Sequence, residues 1–386
     1  MYFRNVRASK LPNQGLSIFT VMSALAAKHN AINLSQGFPE FNPPDDLIRK
    51  VNESLLSGRN QYSPMAGQLS LREVIAERQN QWGRSFEINP DTDITIVPGA
   101  TAGLFATFQA LVQHGDEVII FDPSYDSYAP AIALAGGIPI RIPLNQDFSM
   151  PWEQLKSKLS NRTVMIVVNT PHNPLGLVFS QSDWLELARI IQNTDILVLS
   201  DEVYEHMVFD EKQHVSVLQI PALANQAIAI SSFGKTFHAT GWKLGYVTAK
   251  AELSAEIRKV YQFLAFAANT PMQFAAAEFL LQNPSYENSV SEIMQAKRNY
   301  FAEGLSQSRF QLLPCEGAYF QIVDYSMISD LSDIDFANLL TTKHKVAGIP
   351  VSAFYPNPNP DQRLLRFCFA KNNDTLQKSL DILCRL

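Results

Sequence analysis

Cysteine is scarce in this sequence, with three residues among 386, namely Cys315, Cys368 and Cys384. Their odd number and wide separation argue against a disulfide framework, and their spacing is not that of metal ligands. We therefore expect reduced thiols, no metal site and a cytoplasmic location.

Long apolar stretches and runs of like charge are missing as well. No 18 consecutive residues are apolar, and the first 15 residues contain no apolar run long enough for a secretory signal. The 31 basic and 37 acidic residues give a net charge of −6 without a long basic run, so the electrostatic pattern of a nucleic-acid-binding protein is absent. The expected partners are small molecules rather than membranes or nucleic acids.

The sequence does contain seven short β-rich runs separated by helical patterns. The runs are apolar on both faces, as expected for strands that helices cover on both sides. Most are far enough apart for a helical crossover, which predicts an α/β fold with a mainly parallel seven-stranded sheet. The runs lie at 94–97, 117–121, 138–142, 164–168, 195–199, 227–231 and 244–248.

The last two runs differ from the others because only 12 residues, 232–243, separate them. We interpret this pair as antiparallel neighbours joined by a functional loop that contains Lys235. The sheet and its helices predict a large domain at 46–285. Residues 1–45 and 286–386 are expected to form a smaller α+β domain, with strands in "AYFQIVDY", "AGIPVSAF" and "LLRFCFA".

Polar groups follow four of the predicted strands at the point where each ends. In open α/β sheets, ligands bind beyond the carboxyl ends of the strands. Gly99 forms a turn into a helix whose free N–H groups can hold a phosphate. Asn173, Asp201 and Ser232 follow three further strands, and Lys235 comes just after Ser232.

Each of these features alone has an ordinary structural explanation, such as a turn, a helix cap or a satisfied buried polar group. Lys235 is more informative, because a lysine among glycines and aromatic residues is desolvated and its pKa falls below the usual 10.4. Together, a phosphate turn, a carboxylate and a desolvated amine match pyridoxal phosphate. That cofactor requires a Schiff-base lysine and an acid at its ring nitrogen.

Three motifs resemble those of a known family: "NTPHNPLG", "SDEVYEH" and "SSFGKTFHATGWKLGY", in this order. They look like the class I aminotransferases of pyridoxal phosphate fold type I, and the resemblance extends from "NLSQGFPEF" to "LLRFCFAK". The branch is similar to the bacterial methionine aminotransferases, relatives of the kynurenine aminotransferase and glutamine transaminase K group. The resemblance implies transfer of the amino group of methionine and aromatic amino acids to a 2-oxo acid, by a ping-pong mechanism.

The resemblance also implies residue roles at the cofactor ring. Lys235 would form the Schiff base and move the proton from the substrate Cα. Asp201 would keep the ring nitrogen protonated, and Asn173 and Tyr204 would hydrogen-bond the ring 3′-oxygen. Tyr125 would stack on the ring face.

The phosphate group would be held by backbone groups, a hydroxyl and a cation. Tyr62 resembles the family tyrosine that reaches the phosphate of the neighbouring subunit, which implies a homodimer. The residues of the same chain at this site would be Gly99, Ala100, Thr101, Ser232 and Lys243.

The amino acid substrate needs a partner for its α-carboxylate, and Arg366 is the candidate. Strand alternation places it on one face with small residues, where a buried arginine requires an anion. A structural acid is the alternative partner. By resemblance, Gly37 touches the same carboxylate and Asn173 contributes to substrate binding, while Phe19 and Phe38 suggest an apolar side-chain pocket.

Three other functions remain open at this point. The same chemistry supports β-elimination on cysteine S-conjugates, which releases pyruvate and ammonia without an acceptor. A kynurenine or glutamine aminotransferase is the second alternative. A regulatory protein that binds pyridoxal phosphate without turnover is the third.

Overall fold

The structure is a computed structural model that describes residues 9–12 and 14–386. Residues 1–8 and 13, which belong to the predicted small domain, lie outside the described residues. The strands are β1 Ile32–Asn33, β2 Ile94–Val97, β3 Glu117–Asp122, β4 Ile138–Pro143, β5 Thr163–Asn169, β6 Leu197–Asp201, β7 Ala227–Ser232, β8 Gly245–Ala249, β9 Gln311–Leu312, β10 Phe320–Asp324, β11 Val346–Ala347, β12 Ile349–Pro350 and β13 Leu364–Cys368.

The helices alternate with the strands through the first two thirds of the chain. They are α1 Ile18–His29, α2 Asp45–Leu56, α3 Leu69–Gln81, α4 Ala100–Leu111, α5 Tyr128–Leu134, α6 Trp152–Lys158, α7 Gln181–Ile190, α8 Phe233–Thr236, α9 Ala251–Leu264, α10 Thr270–Gln282, α11 Tyr286–Leu305, α12 Asp333–Leu339 and α13 Asn373–Leu383. None of these helices is long and apolar enough to cross a membrane.

All seven predicted runs form strands of one sheet, in the order β2-β8-β7-β6-β5-β3-β4. Neighbours from β7 to β4 are parallel, whereas β8 is antiparallel to both β2 and β7. The predicted fold class and the antiparallel pair are therefore confirmed.

Helices cover both faces of this sheet because its central strands are apolar throughout. Met165 and Ile166 are consecutive residues of β5, and their side chains enter different buried clusters on opposite faces. Trp184 of α7 lies in the cluster with Ile166, and Phe108 of α4 lies in the cluster with Met165.

β4 does not fit the prediction of complete burial. It is an edge strand with one neighbour, and Ile138 is 40% exposed.

A smaller antiparallel sheet has the order β12-β13-β10-β9, and it packs with α1, α11, α12 and α13 in a separate buried cluster. The short parallel pair β1 and β11 connects the amino-terminal segment to this part of the chain. The strand predicted in "AGIPVSAF" is present as β12, Ile349–Pro350, which pairs with β13, but it is much shorter than this segment. Pro350 has no N–H to continue the ladder, and the chain turns into a 3₁₀ helix at Val351–Phe354.

The connection between β7 and β8 is more ordered than the predicted loop. Lys235 lies in the single helical turn α8, where the N–H of Phe237 donates to the carbonyl of Phe233 at 2.8 Å. A 3₁₀ helix follows at Thr240–Trp242, and Lys243 then takes a left-handed conformation, with φ of 53°, before β8 begins.

The packing of α11 on α13 depends on Gly304. A Cβ atom at this position would overlap the Leu380 side chain, with Cδ2 at 2.8 Å. We predict that Gly304→Ala lowers the free energy of unfolding by about 1–3 kcal/mol, because overpacking outweighs the usual helical advantage of alanine. Denaturant unfolding measures the change. Gly15→Ala is the control, since nothing lies within 4 Å of a Cβ there, and an equal loss in both variants would contradict the packing argument.

Candidate active site

The carboxyl ends of the sheet strands open into a cavity of about 290 Å³. Residues from the segment after β1 and from β10 and β13 of the smaller sheet close its other side. Fourteen of the fifteen predicted site residues line this cavity. They are Phe19, Gly37, Phe38, Gly99, Ala100, Thr101, Tyr125, Asn173, Asp201, Tyr204, Ser232, Lys235, Lys243 and Arg366.

Tyr62 is the predicted site residue that this cavity does not include. Its side chain is 82% exposed, and its ring packs edge-on against Phe266 with the centroids 5.2 Å apart. A surface position agrees with the expectation that it serves a neighbouring subunit, and this role stays a prediction.

The amine of Lys235 points into the cavity and is held by oxygen atoms. Its Nζ lies 2.8 Å from the hydroxyl of Tyr319 and 3.5 Å from the carbonyl oxygen of Gly37. Burial lowers the pKa of Lys235 to about 8, because the surrounding protein excludes water that would stabilise the ammonium. The amine is therefore substantially neutral at mildly alkaline pH, as a proton acceptor must be.

Asp201 lies at the end of β6 and is 4% exposed. Its Oδ2 accepts a hydrogen bond of 2.6 Å from the hydroxyl of Tyr128. Its Oδ1 has no hydrogen-bond partner within the part of the chain that the structure describes. Burial raises the pKa of Asp201 to about 6, while the bond from Tyr128 opposes that rise.

The turn between β2 and α4 has a geometry that suits the predicted anion site. Gly99 has φ of 82°, and a Cβ atom there would lie 3.2 Å from both Cε and Nζ of Lys243. Gly245 allows β8 to pass close beneath, because its Cβ would lie 3.0 Å from the backbone nitrogen of Ala100. The free N–H groups at the start of α4 and the ammonium of Lys243 thus converge on one place, beside Ser232.

Arg366 is 1% exposed, and its hydrogen-bond partners in the described part of the chain are neutral groups. Nη1 donates to Oδ1 of Asn173 at 2.7 Å, and Nη2 donates to the carbonyl of Ser35 at 3.0 Å. Nε has no hydrogen-bond partner among residues 9–12 and 14–386. Burial lowers the pKa of Arg366 to about 10, which still leaves the guanidinium charged at neutral pH. Asp126 acts on this charge through space and raises the pKa, but no carboxylate among the described residues hydrogen-bonds to the guanidinium, which favours a ligand carboxylate over the alternative of a structural acid.

Aromatic rings surround this guanidinium. Its central carbon lies 3.9 Å from the ring centroid of Phe320, 5.1 Å from that of Phe19 and 5.4 Å from that of Phe354. Phe38 lies at the mouth of the cavity and is 40% exposed. Aromatic rings therefore provide apolar surface beside Arg366 and Asn173.

Two tyrosines that adjoin the opposite side of the site keep their protons at neutral pH. Burial raises the pKa of Tyr125 to about 12 and that of Tyr204 further. Both rings are therefore neutral, and their hydroxyls can donate hydrogen bonds to a ligand. Tyr125 also packs edge-on against Tyr128, with the centroids 5.6 Å apart.

Three contributors were not predicted from the sequence: Tyr128, Tyr319 and Phe320. Tyr128 lies three residues after Tyr125, so helical spacing could have placed it near the site. Phe320 reaches Arg366 because β10 pairs with β13 in a register that sets Ile322 opposite Arg366. That register was not readable from the sequence, and no sequence signal distinguished Tyr319 from an ordinary core residue.

The residues present fit pyridoxal phosphate. Asp201 offers a buried unpartnered oxygen for a protonated ring nitrogen, and the Gly99 turn with Lys243 offers a phosphate cradle that a Cβ atom would crowd. Lys235 supplies an amine of lowered pKa in the same cavity. Tyr125, Tyr204 and Asn173 also line this cavity.

Comparisons with known proteins agree with this arrangement. A family model for aminotransferases of class I and II matches residues 29–383. The methionine aminotransferase of Escherichia coli K12 is 48% identical over 379 residues, covering 98% of each chain. Kynurenine–oxoglutarate transaminase 1 of Rattus norvegicus is 33% identical over 411 residues, covering 97% of this chain and 96% of the relative. The crystal structure of Escherichia coli YbdL, described with a methionine aminotransferase function, superposes with a TM-score of 0.96 at 48% identity, covering 99% of this chain and all of that one.

The raised pKa of Asp201 predicts a stability cost in the protein without ligand. Between about pH 4 and pH 6 the folded chain binds this proton more tightly than the unfolded chain, so stability falls as pH rises through that window. Asp201→Asn removes the buried charge. We expect it to raise the free energy of unfolding at pH 8 by up to about 3 kcal/mol, with little effect near pH 4.

Denaturant unfolding of the ligand-free proteins at the two pH values tests this expectation. Asp147→Asn is the control, because Asp147 is fully exposed and its pKa is lowered by hydrogen bonds from Ser149. A change in the Asp201 variant that is equal at both pH values would contradict the assignment of a buried titrating carboxyl.

Proposed function

The chain belongs to the class I and II aminotransferases, whose cofactor is pyridoxal phosphate, and from this premise we propose that it transfers the amino group of methionine and aromatic amino acids to a 2-oxo acid. The observation that carries the proposal is the buried Arg366, a cation with neutral hydrogen-bond partners and an aromatic surround. It suits the α-carboxylate common to all amino acids, with the apolar side chain placed against the neighbouring rings.

The charges of the cavity support an uncharged substrate side chain. Its lining in the described part of the chain contains three basic residues, Lys235, Lys243 and Arg366. Lys243 adjoins the Gly99 turn, Lys235 is the reacting amine and Arg366 takes the α-carboxylate. No basic residue of this lining is left for an acidic side chain, whereas Phe19 and Phe38 offer apolar surface. The similarity to the methionine aminotransferase of Escherichia coli supports the same class of substrate.

When bound, pyridoxal phosphate supplies an electron-withdrawing ring that stabilises the negative charge left at the substrate Cα. In our proposal Asp201 keeps its charged oxygen beside the ring nitrogen and so favours the protonated nitrogen. Tyr204 and Asn173 donate hydrogen bonds on the other side. Lys235 removes the proton from Cα and delivers it one carbon away, which its pKa near 8 permits without a large cost in either direction.

Arg366 and Asn173 act as one unit in orienting the substrate. The amide oxygen of Asn173 fixes Nη1, and the Ser35 carbonyl fixes Nη2, so the plane of the guanidinium is set before substrate arrives. A carboxylate bound in that plane has one orientation, which holds the Cα–H bond in a constant direction relative to Lys235.

We also propose that the chain works as two units, at 46–285 and at 1–45 with 286–386. The larger unit contributes Lys235 and Asp201, and the smaller one contributes Arg366 and Gly37. Because the reacting groups and the carboxylate site come from different units, substrate would bridge them.

A homodimer is part of the proposal, with Tyr62 reaching the phosphate of the partner subunit. Exposed aromatic residues support an interface here, since Phe266, in contact with Tyr62, is 50% exposed and Phe263 is 87% exposed. Burying such rings between subunits is favourable.

For location we propose the cytoplasm, because Cys315, Cys368 and Cys384 are free thiols.

The substrate assignment predicts a ranking of amino donors. We expect methionine, phenylalanine and tyrosine to have kcat/KM values at least about 100-fold above those of aspartate and glutamate, because an unpaired side-chain carboxylate would be desolvated in an apolar pocket. A panel of donors against several 2-oxo acids measures this, with kynurenine and glutamine included. Parallel double-reciprocal plots are expected for a ping-pong mechanism.

Lys235→Ala is the matched control for the panel. It should lower kcat by roughly 10²–10⁴-fold or more with every donor, and unchanged circular dichroism would show that the fold persists. Equal rates for methionine and aspartate would reject the substrate assignment. Release of pyruvate and ammonia from a cysteine S-conjugate without an acceptor would instead identify β-elimination.

The dimer proposal predicts complementation between inactive subunits. If Tyr62 serves the partner's site, a hybrid of a Tyr62→Ala subunit and a Lys235→Ala subunit contains one site with both residues intact. Co-expression with two affinity tags isolates the hybrid, and its activity should approach half that of the unaltered dimer. Two parent variants that are inactive and a hybrid that is equally inactive would contradict the proposal and place Tyr62 in the site of its own subunit.

A further inference from the structure

Tyr319 lies immediately before β10 and faces the reacting amine. Its side chain is fully buried, and its ring is held edge-on by Tyr204 at 5.1 Å and by Phe320 at 4.7 Å between centroids. Its carbonyl accepts from the N–H of Phe369 at 3.1 Å, which ties this backbone to the end of β13. The hydroxyl therefore has a fixed position relative to Lys235.

In the described part of the chain the hydroxyl has close contacts with Gly37 and Lys235, and the hydroxyl of Tyr204 adjoins it as a further polar group. The Tyr319 hydroxyl lies 2.5 Å from the carbonyl oxygen of Gly37 and 2.8 Å from Nζ of Lys235. A carbonyl oxygen can only accept, so the phenol proton is directed at Gly37. The oxygen lone pair is then directed at Lys235 and accepts one of its N–H groups.

This orientation does not reverse near neutral pH. Burial raises the pKa of Tyr319 well above its usual value, so the phenol keeps its proton. A phenol whose proton is already committed to Gly37 acts towards Lys235 as an acceptor. It stabilises the ammonium form of Lys235 more than the neutral amine, because a charged donor makes the stronger hydrogen bond.

We propose that the hydroxyl of Tyr319 is a positioning residue for proton transfer, which directs the amine of Lys235 and supports the ammonium that forms when this amine takes the substrate proton. The inference rests on the proposed role of Lys235 as the base. It also links two parts of the site, because the same hydroxyl fixes the carbonyl of Gly37. A Cβ at Gly37 would lie 2.8 Å from the ring of Phe320, so this backbone approaches as closely as it does because position 37 is glycine.

Other titratable groups face the same amine and belong in the design of the test. They are Asp201 on β6, Tyr204 after β6, Arg366 and Cys368 on β13, and Lys243 before β8. A substitution that leaves all five in place isolates the contribution of the Tyr319 hydroxyl. Tyr319→Phe does so, since it keeps the ring and its contacts and removes one oxygen atom.

Tyr325→Phe is the matched control. Tyr325 directly follows β10 and is fully buried. Its hydroxyl donates a hydrogen bond of 2.9 Å to the carbonyl of Leu331, and the residue does not line the cavity. The Tyr325→Phe variant therefore loses a comparable buried hydroxyl, but one that makes no contact with Lys235. Both variants are compared with the unaltered chain by thermal unfolding.

The first measurement uses the ligand-free protein and needs no turnover. Lys235 is acylated with limiting acetic anhydride across a range of pH, and mass spectrometry of the Lys235 peptide gives its apparent pKa. Tyr319→Phe should lower this pKa by roughly one unit, because a hydrogen bond to a charged group is lost. Tyr325→Phe should leave it unchanged. An unchanged pKa in Tyr319→Phe would overturn the proposal, whatever the enzyme's substrate is.

The second measurement uses the loaded enzyme. Tyr319→Phe should lower kcat about tenfold with little change in KM, and the isotope effect of α-deuterated methionine should rise as proton transfer becomes slower. An equal loss of kcat in both variants, or a change confined to KM, would assign Tyr319 a purely structural role. If methionine proves not to be a substrate, the acylation result still decides between these roles.

A third variant covers the case in which Tyr319→Phe does not fold. Site-specific 3,5-difluorotyrosine at position 319 keeps the hydroxyl and nearly the same volume but makes its oxygen a weaker acceptor. The pKa of Lys235 should then fall by less than in Tyr319→Phe and in the same direction. No shift in this protein would also overturn the proposal.

Discussion

The burial of the Arg366 guanidinium with no carboxylate of the described residues hydrogen-bonded to it is the constraint on which the cavity depends. A charge in that position is costly unless hydrogen bonds and an anion compensate it. Asn173 and the carbonyl of Ser35 satisfy two of its nitrogens, and the ring of Phe320 lies against its face. These contacts fix the guanidinium but do not neutralise it. In the proposed function, the remaining charge makes the site selective for a carboxylate. The hydrogen bond from Arg366 to Asn173 also joins the smaller sheet to the Asn173 segment of the larger one.

Burial acts in opposite directions on the two reacting groups and brings their pKa values closer together. It lowers the pKa of Lys235 to about 8 and raises that of Asp201 to about 6. The amine can thus release and regain a proton near neutral pH, while the acid remains mostly charged there. The same desolvation destabilises the protein without ligand, so bound cofactor stabilises the fold as well as supplying chemistry. At this site, groups that function requires lower the stability of the folded protein.

Sequence reasoning identified the sheet and most of the site because both follow from local patterns. Apolar runs revealed all seven strands, and the rule that ligands bind at carboxyl ends gathered Gly99, Asn173, Asp201 and Ser232 into one place. The sequence did not show that β4 lies at the edge of the sheet, so β4 was expected to be covered on both faces. Contacts that depend on the register between strands could not be predicted from the sequence either. Phe320 meets Arg366 and Tyr319 meets Lys235 through tertiary packing between distant segments, and nothing in "AYFQIVDY" marks these residues as different from the core around them.

The two proposed anion sites of the cavity differ in a way that would divide their tasks. At the Gly99 turn, backbone N–H groups and the ammonium of Lys243 make a site of converging donors, in which a tetrahedral anion can be held without a single preferred plane. At Arg366 the donors lie in one plane that Asn173 and Ser35 have already set. The first arrangement favours affinity for a group that stays bound, and the second favours orientation of one that is exchanged in every cycle. A lysine suffices at the Gly99 turn because orientation there comes from the turn, whereas a lysine in place of Arg366 would keep the charge and lose the plane.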